Sequence, residues 1–104
     1  MRELADALRL DAQQALTLRE LVELSGLAES MLRELVDYGA LQPLEWEGAT
    51  LTFSASCVSV ARTACRLSRD LELDAHAVSV VLRLFERIDA LEAEIRALRA
   101  GAAR

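Results

Sequence analysis

Four charged side chains, Glu29, Arg33, Glu34 and Asp37, offer the clearest chemistry in this chain. At about 100° per residue they share one face of a helix over Ala28–Tyr38 with Ser30, while Ala28, Leu32, Leu35 and Val36 share the other. Three carboxylates and one guanidinium on an outer face suit recognition of a basic surface. Phosphate recognition needs the reverse, because duplex DNA presents a dense row of negative charge. Glu20, Glu23, Glu45 and Glu47 lie near by in sequence and add to the same sign.

The remaining reactive residue types are sparse. His76 is the single histidine, and it falls in the first turn of a predicted helix. A general base needs an oriented nucleophile and a metal needs several ligands, so the sequence supports no catalytic residue, metal site or cofactor. All twelve basic residues are arginine, which excludes a P-loop or Schiff-base lysine. Cys57 and Cys65 are eight residues apart on one predicted helix, about 12 Å along its axis, too far to form a disulfide within it. They read as small core residues and reduced cytosolic thiols. Arg62, Arg66 and Arg69 form a basic stripe, the one feature suited to phosphate, to an acidic partner or to a second subunit.

Positioning these residues requires mainly helices. The chain has 104 residues, among them 20 Leu and 18 Ala, both strong helix formers. That length makes one modest core. Residues 1–15, with Leu4, Leu8 and Leu10 among charges, predict a short N-terminal arm. Thr17-Leu18-Arg19-Glu20 matches a capping box and starts a helix that Gly26 ends. Leu27 enters a tight turn, and Gly39 ends the second helix. This is a helix-turn-helix pattern. Pro43 blocks further helix, and Leu44, Trp46, Leu51 and Phe53 alternate with polar residues around Gly48-Ala49, predicting a small β-hairpin wing. Ser54 or Ser56 caps a third helix to about Leu71, with an apolar side of Cys57, Val60, Ala64, Leu67 and Leu71 opposite the arginines. Residues 16–74 thus form a helix-turn-helix domain.

Asp74 caps a last helix, Ala75 to about Ala100, within a final segment 75–104 that ends in a frayed Gly101–Arg104. At about 1.5 Å per residue this helix outruns the core it can cover. Val81, Leu84, Ile88, Leu91, Ile95 and Leu98 recur at 3,4 spacing, a coiled-coil seam predicting a homodimer. Up to about Leu84 the seam is expected to pack within the monomer as well. Arg87, Glu92, Glu94 and Arg99 flank it and admit pairings in parallel or antiparallel dimers, so orientation stays open.

Charge supports a protein partner over nucleic acid. Net charge is −5, with a balance of −6 over residues 1–50 and +1 over 51–104. The acidic half holds the helix-turn-helix, which disfavours DNA and anionic membranes. No apolar run approaches the ~18–20 residues of a membrane span, and the acidic N-terminus is unlike a signal peptide, so the expected location is the cytoplasm.

The run Ala61-Arg62-Thr63-Ala64-Cys65-Arg66-Leu67-Ser68-Arg69-Asp70-Leu71-Glu72-Leu73-Asp74 before a Leu-rich helix resembles the chaperone modulatory protein CbpM family, a MerR-like helix-turn-helix variant. Leu35-Val36, Gly39, Leu41, Pro43 and Phe53 agree with it, and the resemblance spans about Leu16 to Leu98. It implies a non-enzymatic inhibitor that binds the J-domain of a CbpA/DnaJ-like co-chaperone and blocks its access to Hsp70. Glu29, Arg33, Glu34 and Asp37 are then the expected contacts, with Asp70 and Glu72 as a second candidate pair. Ala75-His76-Ala77 departs from the family's Trp-Pro-Gly and predicts a looser start to the long helix. The rival reading is a MerR-type DNA-binding transcription regulator. It shares the fold and is discriminated by charge on the second helix.

Overall fold

Local signals at helix ends set the architecture. The computed structural model describes residues 15–47 and 50–102, and shows strand β1 (Leu16–Thr17), helix α1 (Leu18–Ser25), helix α2 (Glu29–Asp37), strands β2 (Glu45–Glu47) and β3 (Thr50–Phe53), helix α3 (Cys57–Asp70) and helix α4 (Ala75–Ala102). The predicted arm lies outside the described residues except for Ala15, as do the Gly48-Ala49 turn and Ala103-Arg104. Gly101 and Ala102, expected to fray, continue α4. Among the described residues no helix is long and apolar enough to cross a membrane.

The capping box forms as the sequence predicts. The Glu20 amide donates to Thr17 Oγ1 at 3.1 Å, and the Thr17 amide donates to Glu20 Oε1 at 3.1 Å. Two of the orphan donors at the start of α1 are thereby satisfied. Gly26 closes α1 at φ 77°, a left-handed conformation that a Cβ penalises. Thr17→Ala removes one half of this box and should cost about 1 kcal/mol. Urea denaturation at fixed protein concentration would measure it, and an unchanged midpoint would show that the cap adds nothing.

The second helix is one residue shorter at each end than expected. Ala28 is its exposed N-cap rather than part of the apolar face, and Tyr38 is its C-cap. Leu32, Leu35 and Val36 are buried as patterned. Gly39 then turns the chain at φ 80°, where a Cβ would stand 3.5 Å from the Arg83 guanidinium.

The wing is a three-stranded antiparallel sheet, ordered β1-β3-β2. The hairpin pairs Trp46 with Leu51, and β1 adds Leu16 opposite Phe53. That third strand carries no sequence signature, because two residues cannot display an alternation. Leu44, predicted to face the core, is exposed; it precedes β2, and its amide donates to the Thr52 carbonyl. Phe53 and Leu51 do face inward, and Phe53 is fully buried with Leu21, Leu32, Leu35 and Val78. α1 packs on α3, α2 on α4, and α3 on α4, so the helix-turn-helix is backed by both later helices.

Candidate functional site

The α2 face stands out in solvent, but not all of its charge is free. Ser30, Arg33, Glu34 and Asp37 are exposed together, as their spacing predicts. Arg33 Nη2 lies 3.8 Å from Glu29 Oε1, an i,i+4 pair within the helix. Exposed pairs of this kind add little stability, yet the two charges largely cancel at longer range. Of the acids near by in sequence, Glu20 is held in the capping box and Glu23 pairs with Arg19 at 3.8 Å. Glu34 and Asp37 have no ion-pair partner among the described residues. Within the helix-turn-helix the charges of Glu20, Glu34 and Asp37 therefore have no cationic partner among the described residues, and Glu34 and Asp37 are the two of them on the α2 outer face.

Tertiary packing adds groups that the helix alone lacks. The start of α4 comes against the end of α2, and together they form an open cleft lined by Glu34, Asp37, Tyr38, Asp74, Ala75 and His76. The His76 ring stacks on Tyr38, with centroids 5.0 Å apart and planes at 21°. The Arg83 guanidinium donates to the Tyr38 carbonyl, two α4 turns further on. It neutralises the C-terminal end of α2. Asp74 caps α4 by accepting from the Ala77 amide at 2.9 Å, as predicted, while its negative charge faces the same cleft. Three carboxylates around a stacked ring pair suit a cation, and a guanidinium above all, since its plane can stack as well as pair. Asp74 and His76 join the site only because the fold brings them against Tyr38, about 36 residues away in sequence.

The same contacts overturn the expected looseness at Ala75-His76-Ala77. Ala75 is buried, His76 is stacked, and the Ser79 hydroxyl donates to the His76 carbonyl at 2.6 Å. The aspartate cap and the interlock with α2 fix this helix start.

Asp70 and Glu72 are placed apart from this cleft. Asp70 ends α3 beside Arg66 and Arg69. Glu72 is exposed in the α3–α4 connection, with φ 53° in the left-handed region that L side chains enter at a cost.

The buried stripe of α3 differs from the predicted one. It is Cys57, Val58, Ala61, Ala64 and Cys65; Val60 and Leu67 are only partly covered and Leu71 is exposed. This is a rotation of about 80° toward the arginines, by helical spacing. Small side chains let α3 approach its neighbours closely, so they occupy the contact and the larger ones line its rim. The arginines consequently flank the buried stripe instead of opposing it. Arg62 Nε donates to the Leu24 carbonyl at 3.1 Å, and Arg69 Nη2 to the Gly26 carbonyl at 3.4 Å. Both brace the end of α1, where carbonyls lack helical partners.

The seam of α4 is likewise on its own side. Within the chain α4 buries Ala75, Val78, Ser79 and Leu82. Val81 is partly covered, but Leu84, Ile88, Leu91, Ile95 and Leu98 are exposed. By helical spacing the two stripes are centred roughly 160° apart. Leu84 therefore takes no part in the internal core, contrary to expectation. After Leu82 the internal core gives α4 little cover, since every residue from Arg83 to Ala102 is exposed, although Arg83 is tethered to the Tyr38 carbonyl.

Among the described residues no group of three or more His, Cys, Asp or Glu is placed to hold a metal. Comparison with known proteins agrees with the geometry. The MerR HTH family regulatory protein profile matches residues 16–100. Chaperone modulatory protein CbpM of Citrobacter koseri is 34% identical over 82 residues, 79% of this chain and 81% of that protein. The CbpM of Salmonella arizonae is similar at 34% over 82 residues, with the same coverage. That of Escherichia coli O1:K1 / APEC is 34% identical over 83 residues, 80% of this chain and 82% of its own.

Proposed function

Because this chain belongs to the chaperone modulatory protein CbpM family, within the MerR helix-turn-helix class, we propose that it is a non-enzymatic chaperone modulator that binds the J-domain of a CbpA/DnaJ-like co-chaperone. J-domains offer a basic helix to Hsp70. An acidic competitor on that helix denies Hsp70 its docking surface. The observation that carries this reading is the pair of unpartnered carboxylates, Glu34 and Asp37, in a cleft completed by Asp74, Tyr38 and His76. Complementary charge speeds encounter and excludes wrong partners. The stacked rings supply flat area for an arginine of the J-domain. Glu29 and Arg33 line the same helix face and extend the contact, while Asp70 and Glu72 lie away from it. The α4 seam, Val81, Leu84, Ile88, Leu91, Ile95 and Leu98, joins two copies, so that one cytoplasmic homodimer carries two docking clefts.

A DNA-binding regulator would use the same fold. The α2 outer face argues against it, since any phosphate row seated there meets Glu34 and Asp37. Titration of the purified protein with a J-domain, beside duplex DNA at physiological salt, separates the two. J-domain binding without DNA binding is expected, and the reverse result would overturn the proposal. Glu34→Arg with Asp37→Arg should weaken J-domain binding about 10- to 100-fold, since close interfacial charge pairs are worth one to several kcal/mol each. Unchanged affinity would move the dock off α2.

A further inference from the structure

The arginines of α3 form a second charged surface, distinct in residues and in sign from the α2 cleft. Ser25, Arg62, Cys65, Arg66, Arg69 and Asp70 line an open groove where α3 runs past the end of α1. Two of its arginines are held in place from below. Arg62 and Arg69 each direct one bond to an α1-end carbonyl, of Leu24 and Gly26. A guanidinium has five N–H donors, so each keeps the others for a ligand. Arg66 stands between them, exposed, and makes no hydrogen bond or ion pair among the described residues. Asp70 lines the groove but comes within ion-pair distance of none of the three. Three positive charges thus lie uncompensated on a protein of net charge −5.

Their spacing indicates the ligand. Steps of four and three residues place the guanidinium groups along one helix face over about 10 Å. A partner helix with carboxylates at the same steps offers three charges over the same length. Fixed guanidinium forks suit carboxylates, which they can bind through two parallel bonds. A continuous phosphate row fits less well. Beyond these three, the only arginine on α1 or α3 is Arg19, which pairs with Glu23, so a duplex extending past the groove meets no further free cation on either helix. We propose that this groove is a second interaction surface, which takes an acidic helical segment of a partner protein. The inference rests on α1 and α3 alone and stands whether or not the α2 cleft binds a J-domain.

The test is a titration of the full chain, isotopically labelled for NMR, with a helical peptide bearing three Glu at steps of four and three. The same peptide with Gln in their place and a duplex DNA serve as the other arms. The Glu peptide should shift the Arg66 side-chain resonance and the Ser25 and Cys65 amides. The Gln peptide should bind at least about 10-fold more weakly, as expected for removed charge pairs. Arg66→Glu should abolish the shifts and Arg66→Gln should weaken binding at least about 5-fold, with Arg66→Lys between that variant and the wild type. Because Arg66 is exposed and makes no hydrogen bond or ion pair among the described residues, these variants should melt with the wild-type protein. Glu34→Arg with Asp37→Arg should leave peptide binding intact, which distinguishes this groove from the α2 cleft. Equal binding of the Glu and Gln peptides, indifference to Arg66→Glu, or tighter binding of DNA than of the Glu peptide would each overturn the assignment.

Discussion

Ile88→Asp combined with Ile95→Asp is expected to convert the proposed homodimer into monomers. Both residues lie on the α4 seam and are about half exposed in the single chain. That face lies largely away from the internal core, since α4 buries Ala75, Val78, Ser79 and Leu82 on the other side. Helix propagation is barely favourable in water, so an extension of about twenty residues with little packing of its own frays readily. A second copy seated on the proposed seam would supply the missing support. In the dimer each aspartate would be buried in an apolar layer beside its own symmetry mate or another seam residue. An unpaired buried carboxylate costs several kcal/mol, and two per chain should raise the dimer dissociation constant by at least about 1,000-fold. Sedimentation equilibrium would read the mass, and far-UV circular dichroism the lost helix of the last turns. A variant that stays dimeric would place the interface elsewhere. J-domain affinity per protomer should survive, because the α2 cleft is completed by Asp74 and His76 of the same chain.

Phe53→Ala should produce the largest loss of folding stability from a single substitution. Phe53 is fully buried on the central strand β3, opposite Leu16 of β1, and is the largest of the fully buried side chains. The described core around it is aliphatic, with Leu21, Leu32 and Leu35 as its other large members, so none of these buried neighbours has a ring to fill the space. Truncating a buried Phe costs about 3–5 kcal/mol, combining lost transfer energy with the cavity left behind. That is a large part of the 5–15 kcal/mol typical of a domain. Urea denaturation on the Ile88→Asp, Ile95→Asp background would measure it free of dimer dissociation. A loss below about 1 kcal/mol would mean that the wing is not part of the folding core.

The signals that were legible in sequence are short in range. Thr17 and Glu20 identify a capping box because both partners lie within one turn. Gly26 and Gly39 mark helix ends because the left-handed conformation needs them within two residues of the last turn. Asp74 caps α4 by the same logic. On α2, spacing alone sorted the buried Leu32, Leu35 and Val36 from the exposed Glu34 and Asp37. On α3 it misled, because apolar size favoured Val60, Leu67 and Leu71, whereas close helix contact selected Ala61, Ala64 and Cys65. With that rotation, Arg62 and Arg69 became braces of α1.

The sequence by itself determined the family, the helix-turn-helix and its acidic outer face, since each rests on residue types repeating within a few turns of helix. Only the tertiary structure decided which carboxylates are left without a partner, and that Tyr38, Asp74 and His76 complete a cleft with them. It also decided that the α4 seam faces away from the internal core. The physical reason is the same in each case. Capping and periodicity are set by neighbours along the chain, whereas pairing and burial depend on which distant surfaces the packed core brings together.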